Sequence, residues 1–132
     1  MSTSPPHSSA KPTVAVVEDN ADNRLLLRAI LDERYGVVEY ENGPDALEGL
    51  ARTLPDLVLL DISLPGMDGN EILTEIRRDG RMRHLPVIAL TAHAMAGDRE
   101  RFLSAGFNDY VTKPIVDESL LLGAIERWLS GG

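Results

Sequence analysis

The stretch from Asp56 to Gly69, DLVLLDISLPGMDG, constrains this chain more than any other, because an apolar run stops abruptly in a carboxylate and then in turn chemistry. Leu57, Val58, Leu59 and Leu60 leave no polar alternation, so they predict a strand buried on both faces, as in the middle of a parallel sheet. Open parallel sheets bind ligands just beyond the carboxyl ends of their strands, which is where Asp61 falls. A loop carboxylate that only caps its own turn would look the same in this stretch. The rest of the chain has to decide between the two readings.

The same pattern recurs on either side. Thr13–Val17 is a β-branched run ending in Glu18-Asp19-Asn20, and Val87–Leu90 is a buried run ending in Thr91. Asn20 to Tyr35 places Leu27, Ile30 and Leu31 on one helical face, with Asn20 or Asp22 as cap and Gly36 as stop. Val37–Glu41 alternates as an edge strand does, and Gly43-Pro44 opens a helix carrying Ala46, Leu47, Leu50 and Ala51. Asp68 and Glu71 have capping-box spacing ahead of Ile72, Leu73 and Ile76, with Gly80 as the expected end. Asp98–Ala105 reads as a short polar helix closed by Gly106, Asp109–Thr112 as a fifth strand, and the last helix starts near Asp117 with Leu121, Ala124, Ile125 and Trp128 inward.

Five strands alternating with five helices predict a doubly wound α/β domain with a parallel sheet. Strand order 2-1-3-4-5 places its topological switch between the first and third strands, so Glu18, Asp19 and Asp61 flank one crevice. Three carboxylates brought together repel one another and call for a cation, and an all-oxygen site suits Mg²⁺ or Mn²⁺ better than zinc. Lys113 offers a point charge and Thr91 a hydroxyl, which completes a site able to accept a phosphoryl group.

With 132 residues there is room for one domain, expected over residues 13–129, preceded by a Ser/Pro-rich tail over 1–12 expected to be disordered. The tail lacks an apolar core, so it is neither a signal peptide nor an anchor, and no run is long enough to span a bilayer. A formal charge of −8 disfavours nucleic acid, and zero cysteines exclude disulfides and fit a reducing, cytoplasmic setting.

Four segments, Val17-Glu18-Asp19-Asn20, Leu60-Asp61 through Pro65-Gly66-Met67-Asp68-Gly69, Leu90-Thr91-Ala92 and Tyr110-Val111-Thr112-Lys113-Pro114, together resemble a response-regulator receiver domain in order and spacing. The resemblance implies a CheY-like fold and a phosphoprotein in a two-component phosphorelay. It implies that Asp61 takes a phosphoryl group from a histidine kinase or histidine phosphotransfer protein, and that Thr91 and Lys113 bind the phosphoryl oxygens. It also implies that Glu18, Asp19, Asp61 and the Ser63 backbone carbonyl arrange Mg²⁺. Glu18 stands where an Asp is commoner, so its longer arm would reach the metal through water. Ser63 and His93 fall where the family varies its dephosphorylation rate, and His93 reads as an exposed loop histidine with no catalytic role. Tyr110 corresponds to a switch aromatic that turns inward with Thr91, expected to be the only nearby ring able to do so, and the output face for a downstream partner is the fourth helix, fifth strand and fifth helix. The expected activity is confined to the chain's own phosphorylation and dephosphorylation. Both a stand-alone receiver and a receiver of a hybrid kinase fit the pattern.

Three other readings compete. An aspartyl-phosphate phosphatase of the haloacid dehalogenase type needs a second acid two residues after the nucleophile, and Ser63 stands there. A flavodoxin-like carrier needs hydroxyls and amides in its first loop, where Glu18-Asp19 would repel a phosphate. A receiver-like scaffold that binds partners without phosphorylation would have no need of the full set of acids, Thr91 and Lys113. Finally, Lys113 must swing its ammonium back into the crevice just before the chain turns, so the Lys113–Pro114 bond is expected to be cis, at a cost of about 0.5–1 kcal/mol.

Overall fold

The computed structural model describes residues 11–92 and 97–130, so His93 and all of the expected tail except Lys11 and Pro12 lie outside the described residues. Ten elements alternate along the chain: β1 (Thr13–Val17), α1 (Ala21–Leu31), β2 (Gly36–Tyr40), α2 (Gly43–Arg52), β3 (Leu57–Asp61), α3 (Gly69–Arg78), β4 (Val87–Thr91), α4 (Asp98–Ala105), β5 (Asp109–Thr112) and α5 (Glu118–Leu129). All four strand pairings are parallel and the order is β2-β1-β3-β4-β5, as the alternation predicts. Among the described residues no helix is long and apolar enough to cross a membrane.

The unbroken apolar runs have a simple cause: successive residues of each inner strand feed opposite cores. Ala15, Val17, Val58, Leu60 and Ala89 pack with Ala46 and Leu50 of α2, Ile72, Leu73 and Ile76 of α3 and Phe102 of α4. Val14, Val16, Leu57, Leu59, Ile88 and Leu90 pack with Leu27, Ile30 and Leu31 of α1 and with Leu121, Ala124 and Ile125 of α5. Every residue of β3 and of β4 is buried, so Asp61 and Thr91 are each carried at the end of a fully enclosed strand.

Helix starts follow the capping residues in the sequence. Asn20, Asn42 and Asp117 each accept a hydrogen bond from a first-turn backbone N–H, and Asp68 and Glu71 close a complete capping box. The ends differ at two points. α1 stops at Leu31 rather than at Tyr35, because the Leu31 carbonyl accepts from both Arg34 and Tyr35 and turns the chain, leaving Gly36 free to open β2. α3 stops before Gly80, where Asp79 Oδ1 accepts from the backbone N–H of Arg81 and Met82 and starts a separate turn. α4 ends as expected at Gly106, whose φ of 115° is closed to most side chains.

α4 meets the sheet through Phe102 and Arg99. Phe102 is its one buried apolar side chain, and Arg99 reaches across to Asp109, a buried carboxylate of β5. The other oxygen of Asp109 accepts from Arg127 and from the Trp128 indole N–H, both on α5, so a single acid fastens two helices to the edge strand.

Candidate functional site

β1, β3 and β4 end side by side, and their terminal groups meet at the crevice where the strand order reverses. Asp61 is 2% exposed. Its Oδ1 accepts from the Ser63 backbone N–H at 2.9 Å and its Oδ2 from the Lys113 ammonium at 2.8 Å. Glu18 is equally enclosed: Oε2 accepts from the Asn20 N–H at 3.1 Å, and Oε1 lies 3.3 Å from Lys113 Nζ. Asp19 is exposed, yet one carboxylate oxygen from each of Glu18, Asp19 and Asp61 can be chosen so that all three lie within 4.8 Å of one another. Lys113 is brought in from β5 by a bond from its backbone N–H to the Thr91 carbonyl at 2.7 Å, and the Lys113–Pro114 peptide is cis as expected.

The electrostatics follow from this crowding. Burial pushes the Glu18 carboxyl above its ordinary range; the Asn20 N–H works against that shift, the Asp61 charge adds to it, and Lys113 offsets part of it. Burial by itself pulls the Lys113 ammonium down, but its hydrogen bonds and attraction to Asp61 and Glu18 outweigh burial and leave it raised. One ammonium therefore faces two buried carboxylates and an exposed third. The arrangement is short of positive charge, which fits a divalent cation held by oxygen ligands.

Thr91 is buried at the end of β4 beside this cluster. It also lines a cavity of about 270 Å³ together with Ile62, Ser63, Asn70, Arg101 and Phe102. Tyr110 is half-buried on β5, its ring 5.4 Å from that of Phe102, which in turn meets Phe107 edge-on at 5.8 Å. The expectation that Tyr110 is the only ring near Thr91 is therefore wrong. Phe102 lines the cavity itself, because the one apolar side chain that docks α4 must point into the same space.

Two residues contribute in ways that the sequence pattern does not assign. Gly69 passes so close to β3 that a Cβ there would lie 2.6 Å from the Asp61 carbonyl oxygen and 2.8 Å from Ile62 Cα. Gly69→Ala should displace the backbone that carries Asp61 and cost about 1–3 kcal/mol, measurable by urea denaturation. Unchanged stability would show that the loop has room to yield. The second contributor is Arg24 of α1, whose guanidinium donates to the Glu18 carbonyl at 2.8 Å while pairing with Glu39 of β2.

Comparison with known proteins places these residues in context. Residues 14–126 match the family described as the response regulator receiver domain. The chain is 41% identical over 128 residues to the sensor protein GacS of Pseudomonas syringae pv. syringae, covering 94% of this chain and 14% of that protein. It is 41% identical over 104 residues to the polar-differentiation response regulator DivK of Brucella anthropi, covering 78% of this chain and 85% of DivK. Its fold superposes with a TM-score of 0.82 and 38% identity on the receiver domain of sensor histidine kinase PA1611 from Pseudomonas aeruginosa PAO1, solved with a magnesium ion in its active site cleft, covering 92% of this chain and 99% of that one. The chain thus spans a small part of the sensor kinases it matches and most of the short regulator.

Proposed function

Because this chain belongs to the response regulator receiver family, we propose that it is a phosphorelay switch in which Asp61 accepts a phosphoryl group. The observation that carries this reading is the meeting of Glu18, Asp19 and Asp61 at one crevice with Lys113 bonded to Asp61. A carboxylate oxygen of Asp61 attacks phosphorus, an acyl phosphate bond forms, and the bond from phosphorus to the donor breaks, its electron pair leaving with the donor. For a phosphohistidine donor the leaving group is the imidazole, which recovers a proton from solvent.

Glu18, Asp19, Asp61 and the Ser63 carbonyl are the groups that would hold Mg²⁺, which when bound offsets the acids and neutralises charge on the phosphoryl oxygens. Lys113 supplies a fixed positive charge to those oxygens and Thr91 a hydroxyl donor, so the site works by positioning and electrostatics. The partners are a histidine kinase or phosphotransfer protein as donor, and a downstream protein that reads the face of α4, β5 and α5. That face carries a groove lined by Arg99, Tyr110, Pro114, Val116 and Arg127. The acidic charge of −8 fits a protein partner in the cytoplasm rather than nucleic acid. The chemistry is confined to the chain's own carboxylate, since Ser63 stands where a phosphatase of the rival type would need an acid.

The test is to incubate the protein with phosphorus-labelled acetyl phosphate and Mg²⁺ and then add borohydride, which reduces an acyl phosphate to the alcohol and releases its labelled phosphate, so that the reduced residue itself marks the site when the peptides are mapped. Modification at Asp61 is expected. Label recovered on a serine or histidine would overturn the assignment.

A further inference from the structure

The acidic loop after β1 is held from three sides, twice through the main chain of Glu18 and once through its carboxylate. The Glu18 N–H donates to the Tyr40 carbonyl at 3.0 Å, the Glu18 carboxylate is taken by the Asn20 N–H and Lys113, and the Glu18 carbonyl is taken by Arg24. That carbonyl belongs to the peptide group joining Glu18 to Asp19, so its direction sets where the next side chain points. Asp19 makes no hydrogen bond of its own among the described residues, and its placement rests on this peptide plane.

Arg24 is itself fixed. Its backbone N–H donates to the Asn20 carbonyl at 3.0 Å, and its Nε lies 3.3 Å from Glu39 Oε1. The second oxygen of Glu39 is held by Arg28, one turn further along α1, which also donates to the Val37 carbonyl at 3.3 Å. The Arg24 side chain is only 15% exposed, so the guanidinium is committed to these two acceptors rather than sampling solvent.

We infer that Arg24 is a positioning residue for the metal site: by fixing the Glu18–Asp19 peptide group it aims the Asp19 carboxylate at Asp61. The inference rests on the reading of the cluster as an Mg²⁺ site. It carries a sign that separates it from its rivals. Removing a cation near three acids should tighten Mg²⁺ binding by electrostatics alone, and a brace that only joins α1 to β2 should leave it unchanged. Loss of positioning weakens it, and groups that orient metal ligands are commonly worth 10–100-fold in affinity.

The experiment is calorimetric titration of MgCl₂ into the unphosphorylated protein, with the melting temperature recorded for each variant. Arg24→Met should bind Mg²⁺ about 10-fold more weakly than wild type. Glu39→Gln breaks the same ion pair but leaves Arg24 able to reach the Glu18 carbonyl, so its affinity should stay within about threefold of wild type. If Arg24→Met does not fold, Arg24→Gln keeps a polar side chain for β2 and is too short to reach the carbonyl, so the same weakening is expected. Wild-type or tighter Mg²⁺ binding in either folded Arg24 variant overturns the inference while leaving the metal site standing, whereas absence of Mg²⁺ binding by wild type overturns both.

Discussion

Asp61→Asn should take up no phosphoryl group from acetyl phosphate at any Mg²⁺ concentration, and should nevertheless melt at a higher temperature than wild type without metal. The first half follows from chemistry: a neutral amide lacks the nucleophilic oxygen, while its size lets it keep the bond from the Ser63 N–H. The second half follows from counting neighbours of the buried charge. Asn removes repulsion with Glu18 and Asp19 and the cost of burying Asp61, and gives up one attraction, to Lys113. The balance favours the variant by about 1 kcal/mol, or roughly 4 °C in a domain of this size.

Acid titration supplies a second reading of the same balance. The Glu18 carboxyl is raised in the folded protein, chiefly by burial, so between the unfolded value and the folded one the folded state binds more protons. Stability therefore falls as pH rises through that window, and the whole penalty is in place above it. Removing the Asp61 charge takes away one contributor to the shift, so the fall should be shallower in Asp61→Asn. A variant less stable than wild type at neutral pH would show that the Lys113 attraction dominates the cluster.

Lys113→Met should slow phosphoryl uptake by about 10²–10³-fold, the usual consequence of losing one preorganised group that meets developing charge. Its effect on stability should have the opposite sign to that of Asp61→Asn. Taking one partner from a fully buried pair costs about 3–5 kcal/mol; here the cluster opens to water on the side of Asp19, and about 2 kcal/mol is expected. Because the deficit is one of positive charge, Mg²⁺ should restore more stability to Lys113→Met than it adds to wild type. In wild type the ammonium is raised above its ordinary value, so its attraction is intact below that value and is lost only as pH climbs through the folded one. Alkaline melting curves of the variant should lack that last loss. Equal uptake rates in the two proteins would remove Lys113 from the chemistry.

Groups that announce themselves along the chain were legible, and groups defined by what they touch were not. Asp61 stands out because it breaks an apolar run, and the box of Asp68 and Glu71 and the stop at Gly106 are local by nature. Arg24 looks like any cation on the polar side of an amphipathic helix, since its acceptor is a main-chain carbonyl with no signature in the sequence. Arg77 is similar: it donates to the carbonyls of Arg83, Leu85 and Gly106 and to Asn108 Oδ1, a set assembled only by the fold, and burial pulls its guanidinium down. Phe102 hides in a helix that opens with four charged residues and whose other large apolar side chain, Leu103, is exposed. Asp109 reads as an ordinary strand-end acid until Arg99, Arg127 and Trp128 converge on it.

That last convergence gives the protein an optical gauge of its own state. The chain has a single tryptophan, and its indole N–H donates at 3.0 Å to the carboxylate that also receives Arg99 from α4. Indole emission depends on the charges beside the ring, so withdrawal of Arg99 with α4 would change the field at Trp128 and is expected to shift its emission. No dye or label has to be introduced, and no second tryptophan clouds the signal. The position of one helix can be followed in solution as a colour shift from another.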